Sequence, residues 1–245
     1  MTEPVAAAAV PAQNKSSFWE DLIDIFYQPS AVFARRQNAS AWPPFLFVVI
    51  AMSVITLATY NSIEPAITAD MQRVMAKTLA HNPNMTQDMA DKGIAMQQKF
   101  GRYFAPVGIA VTLIIVGLLT WIVGKFFGAT EHFNAAMLIA SYAFMPKVLG
   151  AVLLSAQGLL MDSSKLTSMS VLSIGPARFF DPETTSPFLL ALLQRLDLLV
   201  IWETILLAIG VAVIGKISRG KAVGFGVSIW VIGGLLLLRN AYLNS

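Results

Sequence analysis

Three ionisable side chains fall inside apolar stretches of this sequence, where a charge is costly. They are Lys147, Asp197 and Glu203. Insertion scales assign about 2.5–3.5 kcal/mol to one such charge at the centre of a membrane-spanning helix. These residues therefore have two interpretations: a buried ion pair that fixes helix packing, or a proton- or ion-linked site in a small carrier.

The depth of each charge follows from its distance to the end of its apolar stretch. At 1.5 Å per residue, Lys147 lies about 20 Å from one side of the membrane and Glu203 about 13–15 Å from the other. We therefore predict that Lys147 pairs with Glu203 or with Asp197. The two acidic residues are six positions apart, so a regular helix cannot point both at one partner. Arg195 is expected to extend outward to the headgroups.

Two neighbours of Lys147 complete the intramembrane candidates. Pro146 removes the helical hydrogen bond to the carbonyl of Tyr142 and so predicts a kink. Tyr142 can orient towards the resulting gap. Broken helices do occur at transporter binding sites, but the two halves of this sequence show no convincing repeat.

Little else in the chain supplies catalytic chemistry. There are no cysteines, and the histidines, His81 and His132, are far apart, so neither a disulfide nor a metal site is expected. Phosphate-loop, dinucleotide, zinc-protease and serine-hydrolase motifs are absent, so we expect no cofactor and no enzyme. Glu131, beside His132, is expected to be solvated.

The composition indicates which elements must position these residues. The chain is 56% hydrophobic and 13% charged with a mean hydropathy of +0.65, whereas a soluble domain is about 25% charged. Stretches of about 20 apolar residues span a bilayer. We predict an all-α polytopic membrane protein, a five-transmembrane-helix bundle, with spans at about 42–60, 103–127, 134–160, 192–215 and 222–243. Between the first two spans, residues 61–102 predict a helical hairpin or helix extensions that turn at 82–84.

The basic residues set the expected orientation. If five helices alternate, one side carries Arg35, Arg36, Lys125, Lys216, Arg219 and Lys221. The positive-inside tendency places that side, and the N-terminus, in the cytoplasm and the C-terminus outside. Residues 1–16 are interpreted as a disordered cytoplasmic tail and 17–245 as the membrane domain. The net charge of +3 comes without a basic run interleaved with aromatics, so nucleic acid is not expected as a partner.

An amphipathic helix is predicted at 17–28. Ser17 with Glu20 fits a capping box, and Pro29 ends the helix. Helical spacing places Glu20, Asp21 and Asp24 on one face and the apolar residues on the other: Phe18, Trp19, Leu22, Ile23 and Phe26. That apolar face either packs beneath the bundle, docks a partner protein or senses membrane curvature.

Three segments together resemble the Yip domain family, in particular its bacterial members. They are IFYQPSAVFARR (25–36), FNAAMLIASYAFMPKVLGAVL (133–153) and LDLLVIWETILLAIGVAVIGKISRGKAV (196–223). The resemblance implies a five-helix domain with a cytoplasmic N-terminus, here in a bacterial inner membrane. Eukaryotic members bind Rab-type GTPases and carry an Asp-Leu-Tyr-Gly-Pro-Phe-Trp-like motif. Trp19-Glu20-Asp21-Leu22 does not match it, so a Rab-type GTPase is not expected here.

Two functions follow as hypotheses. The first is a non-enzymatic scaffold or adaptor that binds a membrane or cytoplasmic protein through its N-terminal helix. The second is a small ion- or proton-coupled permease that uses Lys147, Asp197 and Glu203. Small residues spaced four apart, such as Ala208 and Ala212, are interpreted as packing within the chain first and as contacts in a homo-oligomer second.

Overall fold

The computed structural model describes residues 17–243, apart from the side chains of residues 236 and 240–243. The expected tail at 1–16 lies outside this range. The described part is all-helical. Its α-helices are α1 (Phe18–Tyr27), α2 (Pro29–Arg36), α3 (Trp42–His81), α4 (Gln87–Phe126), α5 (Phe133–Ala143), α6 (Met145–Leu160), α7 (Pro187–Arg195), α8 (Leu198–Ile214) and α9 (Arg219–Leu243).

Four helical segments are long and apolar enough to cross a membrane. They are α3, α4, the joined pair α5 and α6, and α9. A fifth span results if α7 and α8, which meet at a 53° bend, count as one. The prediction of a polytopic all-α membrane protein is confirmed.

The first two spans continue well beyond the lipid. The helices α3 and α4 have 40 residues each, or roughly 60 Å, against a hydrocarbon thickness of about 30 Å. Met85 N donates to Asn82 O at 3.0 Å across the tight turn between them. The two helices therefore form one long hairpin, as the break at 82–84 predicted.

Residues 161–186 cover the bundle at the end where this hairpin emerges. Three short 3₁₀ turns, Ser163–Lys165, Met169–Leu172 and Pro176–Phe179, interrupt the loop. Asp70 of α3 accepts a hydrogen bond from Met169 N at 2.9 Å, and Arg73 pairs with Asp70 and Glu183. These contacts fix the loop against α3.

The helix α5 is the centre of the bundle. Every residue from Ala136 to Ala143 is buried. Gly210 of α8 allows this packing, because a Cβ there would lie 2.5 Å from Ile139 Cγ2 and 3.1 Å from Phe33 Cζ. Three elements, α2, α5 and α8, thus meet at one glycine.

The N-terminal helices reach this core and do not merely lie beneath it. Ile25, Val32 and Phe33 are fully buried. The ring of Phe33 packs edge-on to Tyr142 at 6.3 Å between centroids. Ile139 is six residues into α5, so Phe33 contacts the bundle about 9 Å from the start of that helix.

Gly210→Ala is expected to destabilise the bundle. The added methyl overpacks Ile139 and Phe33, which costs about 1–3 kcal/mol and is only partly offset by the gain of about 1 kcal/mol in helix propensity. Gly108→Ala is the matched control, because nothing lies within 4 Å of a Cβ there. Thermal unfolding in detergent should give a lower Tm for Gly210→Ala and an unchanged or higher Tm for Gly108→Ala. Equal Tm values for the two variants would contradict this packing.

Candidate functional site: a polar cluster within the spans

The structure brings Lys147 and Glu203 together. Lys147 Nζ lies 2.8 Å from Glu203 Oε2, and the Glu203 side chain is only 9% exposed. Lys147 Nζ also lies 4.7 Å from the centroid of the Phe144 ring. The pair links α6 to α8 inside the helix bundle.

A break in the third span positions Lys147. The helix α5 ends at Ala143, and α6 starts at Met145 with Pro146 in its first turn. Proline has no N–H to donate and its ring clashes with the carbonyl four residues earlier, that of Tyr142. Lys147 N instead donates to Phe144 O at 2.9 Å. The chain therefore restarts its helix immediately before the lysine.

Asp197 has a different role from Glu203. It is the N-cap of α8: its Oδ1 accepts from Leu199 N at 2.9 Å. Its Oδ2 accepts from Ser173 Oγ at 2.8 Å and Ile174 N at 3.0 Å. Of the two predicted partners of Lys147, the structure places Glu203 in the ion pair and Asp197 in the bend between α7 and α8, where it holds the covering loop.

The expectation that Arg195 extends outward is wrong. Its Nη2 donates to Trp230 O at 2.7 Å, and its guanidinium lies 5.3 Å from the centroid of the Trp230 ring. Trp230 Nε1 in turn donates to Arg195 O at 3.0 Å. Arg195 also lies within electrostatic reach of Glu203. The bend at residues 196–197 turns this arginine onto α9, where an aromatic face replaces the headgroups as its partner.

A cavity of about 330 Å³ adjoins the ion pair. Its polar groups come from Lys147, Asp197, Thr56, Ser155 and Ser173, and the rest of the lining is apolar. The cavity lies between α3, α6, α8 and the covering loop. Lys147 lies in the wall of this cavity.

A second charged cluster joins the N-terminal helices to the bundle. Asp21 is fully buried, and its carboxylate accepts from Arg35 Nε at 2.6 Å and Arg36 Nε at 2.5 Å. Tyr142 donates to the same carboxylate at 3.3 Å, while Arg35 also pairs with Asp24 at 2.5 Å. Tyr142, predicted to face the gap at Pro146, thus binds α1.

This cluster sets which face of α1 is free. Asp21 is buried, so the face that helical spacing assigned to Glu20, Asp21 and Asp24 is partly covered by α2. Of the five predicted partner-binding residues, Phe18, Leu22 and Phe26 pack against the core. Trp19 and Ile23 remain 67% and 63% exposed, and Tyr27, which sequence reasoning missed, is 79% exposed. The i, i+4, i+8 spacing of these three was the available signal.

Glu131 is buried, so the expectation of a solvated residue is wrong. It is 4% exposed, and its carboxylate oxygens have no hydrogen-bond partner within residues 17–243. A Cβ on Gly124 would lie 2.5 Å from Oε1, and one on Gly215 would lie 2.6 Å from Oε2. Burial between these glycines raises the pKa of Glu131 above its ordinary value of 4.5.

The apolar spans, the internal ion pairs and the broken helices define the class of this molecule as a polytopic all-α membrane protein. The chain belongs to the Yip1 domain family, which it matches over residues 23–239. No curated protein and no solved structure matches it significantly. The resemblance inferred from the sequence is therefore confirmed at the level of the family.

Lys147→Met is expected to lower the free energy of unfolding because it leaves Glu203 buried without its nearest cation. Breaking a buried pair costs about 3–5 kcal/mol, and the 33% exposure of Lys147 places this one at or below the lower end. Adding Glu203→Leu should recover part of the loss. Denaturant unfolding of the single and double variants measures the coupling energy between Lys147 and Glu203. Lys165→Met, at an exposed position, is the matched control. Strictly additive effects would show that the two side chains do not interact.

Glu131→Gln is expected to stabilise the protein at neutral pH. A carboxyl whose pKa is raised by folding contributes stability that is complete below about pH 4.5 and is lost as the pH rises through the folded-state pKa. The amide cannot ionise, so its Tm should exceed that of the parent at about pH 8 and converge with it near pH 4.5. Asp91→Asn, at an exposed site, should show no such divergence. A constant Tm difference across the range would contradict the assignment.

Proposed function

We propose that this protein is a non-enzymatic membrane scaffold that binds a partner protein through the exposed face of α1. The observation that supports this proposal is a row of three exposed side chains on one face of α1, Trp19, Ile23 and Tyr27, called the α1 stripe. Its members are 63–79% exposed, although they are large and apolar. Tryptophan and tyrosine supply much of the binding energy in protein interfaces.

The α1 stripe is presented by a rigid support. Asp21, on the opposite side of the helix, is anchored by two arginines, and Phe18 packs edge-on to Phe47 at 5.9 Å between centroids. A helix held on one face pays little conformational entropy when its other face binds. The rigid support therefore favours docking of a partner onto a preformed helix over a mechanism in which α1 folds only when the partner binds.

The proposed location is a bacterial inner membrane, with five spans, a cytoplasmic N-terminus and an outside C-terminus. The α8–α9 turn supports this orientation, because Lys216, Arg219 and Lys221 fall within six residues. The long α3–α4 hairpin would then project outside. The bilayer is the immediate partner, and a homo-oligomer is compatible with the small residues of α8 and α9.

A photo-crosslinking amino acid at position 19 or 23 should capture a discrete protein from native membranes. Val111, 48% exposed on α4, is the matched control position and should capture lipid only. With the crosslinker at 23, Trp19→Ala should reduce the protein adduct several-fold, because hot-spot truncations cost about 2 kcal/mol or more. Lipid adducts alone from positions 19 and 23 would overturn the docking proposal.

The cavity beside Lys147 favours a small ion- or proton-coupled permease as the second candidate. In a carrier, the double variant Lys147→Met/Glu203→Leu should remain folded but lose flux, measured with a pH-sensitive dye in proteoliposomes. In a scaffold, the same variant should keep the position-23 adduct, and parent and variant should both be impermeable. Flux through the parent that the variant abolishes would favour the permease over the scaffold.

A further inference from the structure

An open groove runs along the contact between α8 and α9. Its wide part measures about 760 Å³ and its narrow continuation about 200 Å³, and both share Thr204, Ile205, Gly226 and Val227. Small residues create this space. A Cβ on Gly226 would lie only 3.2 Å from Ala208 Cβ, so the two helix backbones approach closely at the floor of the groove.

The length of the groove matches one leaflet. Its wide part begins at Arg219, the first residue of α9, and its narrow part ends at Trp230. Trp230 is eleven positions after Arg219, a rise of about 16 Å, against roughly 15 Å for half of the hydrocarbon core. The groove therefore has the reach of one lipid chain and stops near the midplane.

The polar and apolar parts of the groove are arranged like those of a lipid. Apart from Ser30, Thr204 and Arg219, its wide part is lined by aliphatic residues and glycine, and the Thr204 hydroxyl already donates to Val200 O at 2.8 Å. The charge is confined to the end at Arg219. An occupant with one anionic end and a long apolar body is complementary to this surface.

Arg219 has no carboxylate partner within residues 17–243. Arg219 is exposed. In the described part of the chain Arg102, Arg178 and Arg195 also lack a carboxylate partner, but among these arginines only Arg219 lines the groove. Arg219 stands in the first turn of α9, where the helix dipole adds to its positive potential. Basic pockets between membrane helices bind anionic headgroups, and a guanidinium can hold a phosphate through two parallel hydrogen bonds.

We propose that the α8–α9 groove is a binding site for one anionic phospholipid of the adjacent leaflet. Arg219 binds the headgroup phosphate, and an acyl chain lies over Ala208 and Gly226 towards Trp230. The site is separate from the α1 stripe and from the Lys147–Glu203 pair. It does not depend on the proposed scaffold function.

Native mass spectrometry of the full chain, titrated with phosphatidylglycerol and with phosphatidylcholine of the same acyl chains, tests the proposal. The parent should retain one phosphatidylglycerol in preference to phosphatidylcholine. Arg219→Gln should weaken that retention about fivefold, the effect of one basic charge at a membrane surface. Lys221→Gln, on the same turn but outside the groove lining, is the charge-matched control and should change it much less than Arg219→Gln does.

A second variant tests the apolar part. Ala212→Phe fills the wide groove and should remove the retained lipid, whereas Val111→Phe on the exposed face of α4 should not. Size-exclusion profiles and Tm values verify that each variant is folded. If Arg219→Gln and Lys221→Gln lost phosphatidylglycerol equally, the binding would be explained by general attraction to a basic surface, and the proposed site would be overturned. Retention of phosphatidylglycerol by Ala212→Phe would also overturn the site. So would a dimer of the parent that Ala212→Phe dissociates, because the groove would then bind a second copy of the chain.

Discussion

Hydrocarbon offers no hydrogen bonds, so every polar group that enters the bundle must find its partner within the protein. Three charged side chains of the bundle meet this constraint, whereas the buried carboxylate oxygens of Glu131 have no hydrogen-bond partner within residues 17–243. Glu203 binds Lys147, Arg195 binds the carbonyl and the ring of Trp230, and Asp197 caps α8. The first two contacts join different helices, and Asp197 also joins α8 to the covering loop, so satisfying the charges also fixes how these elements pack. Arg219 lies outside this constraint, because it is exposed at the end of the α8–α9 groove.

The third span and the α7–α8 pair are each broken, and both breaks serve this pairing. Pro146 interrupts the helical hydrogen bonding after α5, and α6 restarts at Met145, which places Lys147 in its first turn near α8. The bend of 53° at residues 196–197 leaves the first N–H groups of α8 without helical partners, and Asp197 accepts a hydrogen bond from one of them, Leu199 N. A continuous α-helix would have left Asp197 as a second charge in lipid. Irregular backbone at membrane depth is tolerated here because protein surrounds it.

In the N-terminal helices, the burial of one charged residue determines which face of α1 is exposed. Asp21 needs Arg35 and Arg36, and both lie on the next helix, so α1 must fold back on α2. This turns Trp19, Ile23 and Tyr27 away from the core. The apolar face of an amphipathic helix is therefore divided: Phe18, Leu22 and Phe26 pack inward, and the α1 stripe stays available. The proposed docking role rests on this division and not on amphipathicity alone.

The sequence alone determined the membrane class, the turn at 82–84 and the family, because hydropathy, breaker residues and motif order are local properties of the chain. It also narrowed the partner of Lys147 to two carboxylates, because depth follows from helical rise. Only the tertiary structure chose between them, since the choice depends on the bend before α8. The inward orientation of Asp21 and Arg195 and the burial of Glu131 were likewise invisible to periodicity. A residue's exposure depends on which neighbour covers it, and those neighbours, Arg35, Trp230 and Gly215, lie between 14 and 84 positions away in the chain.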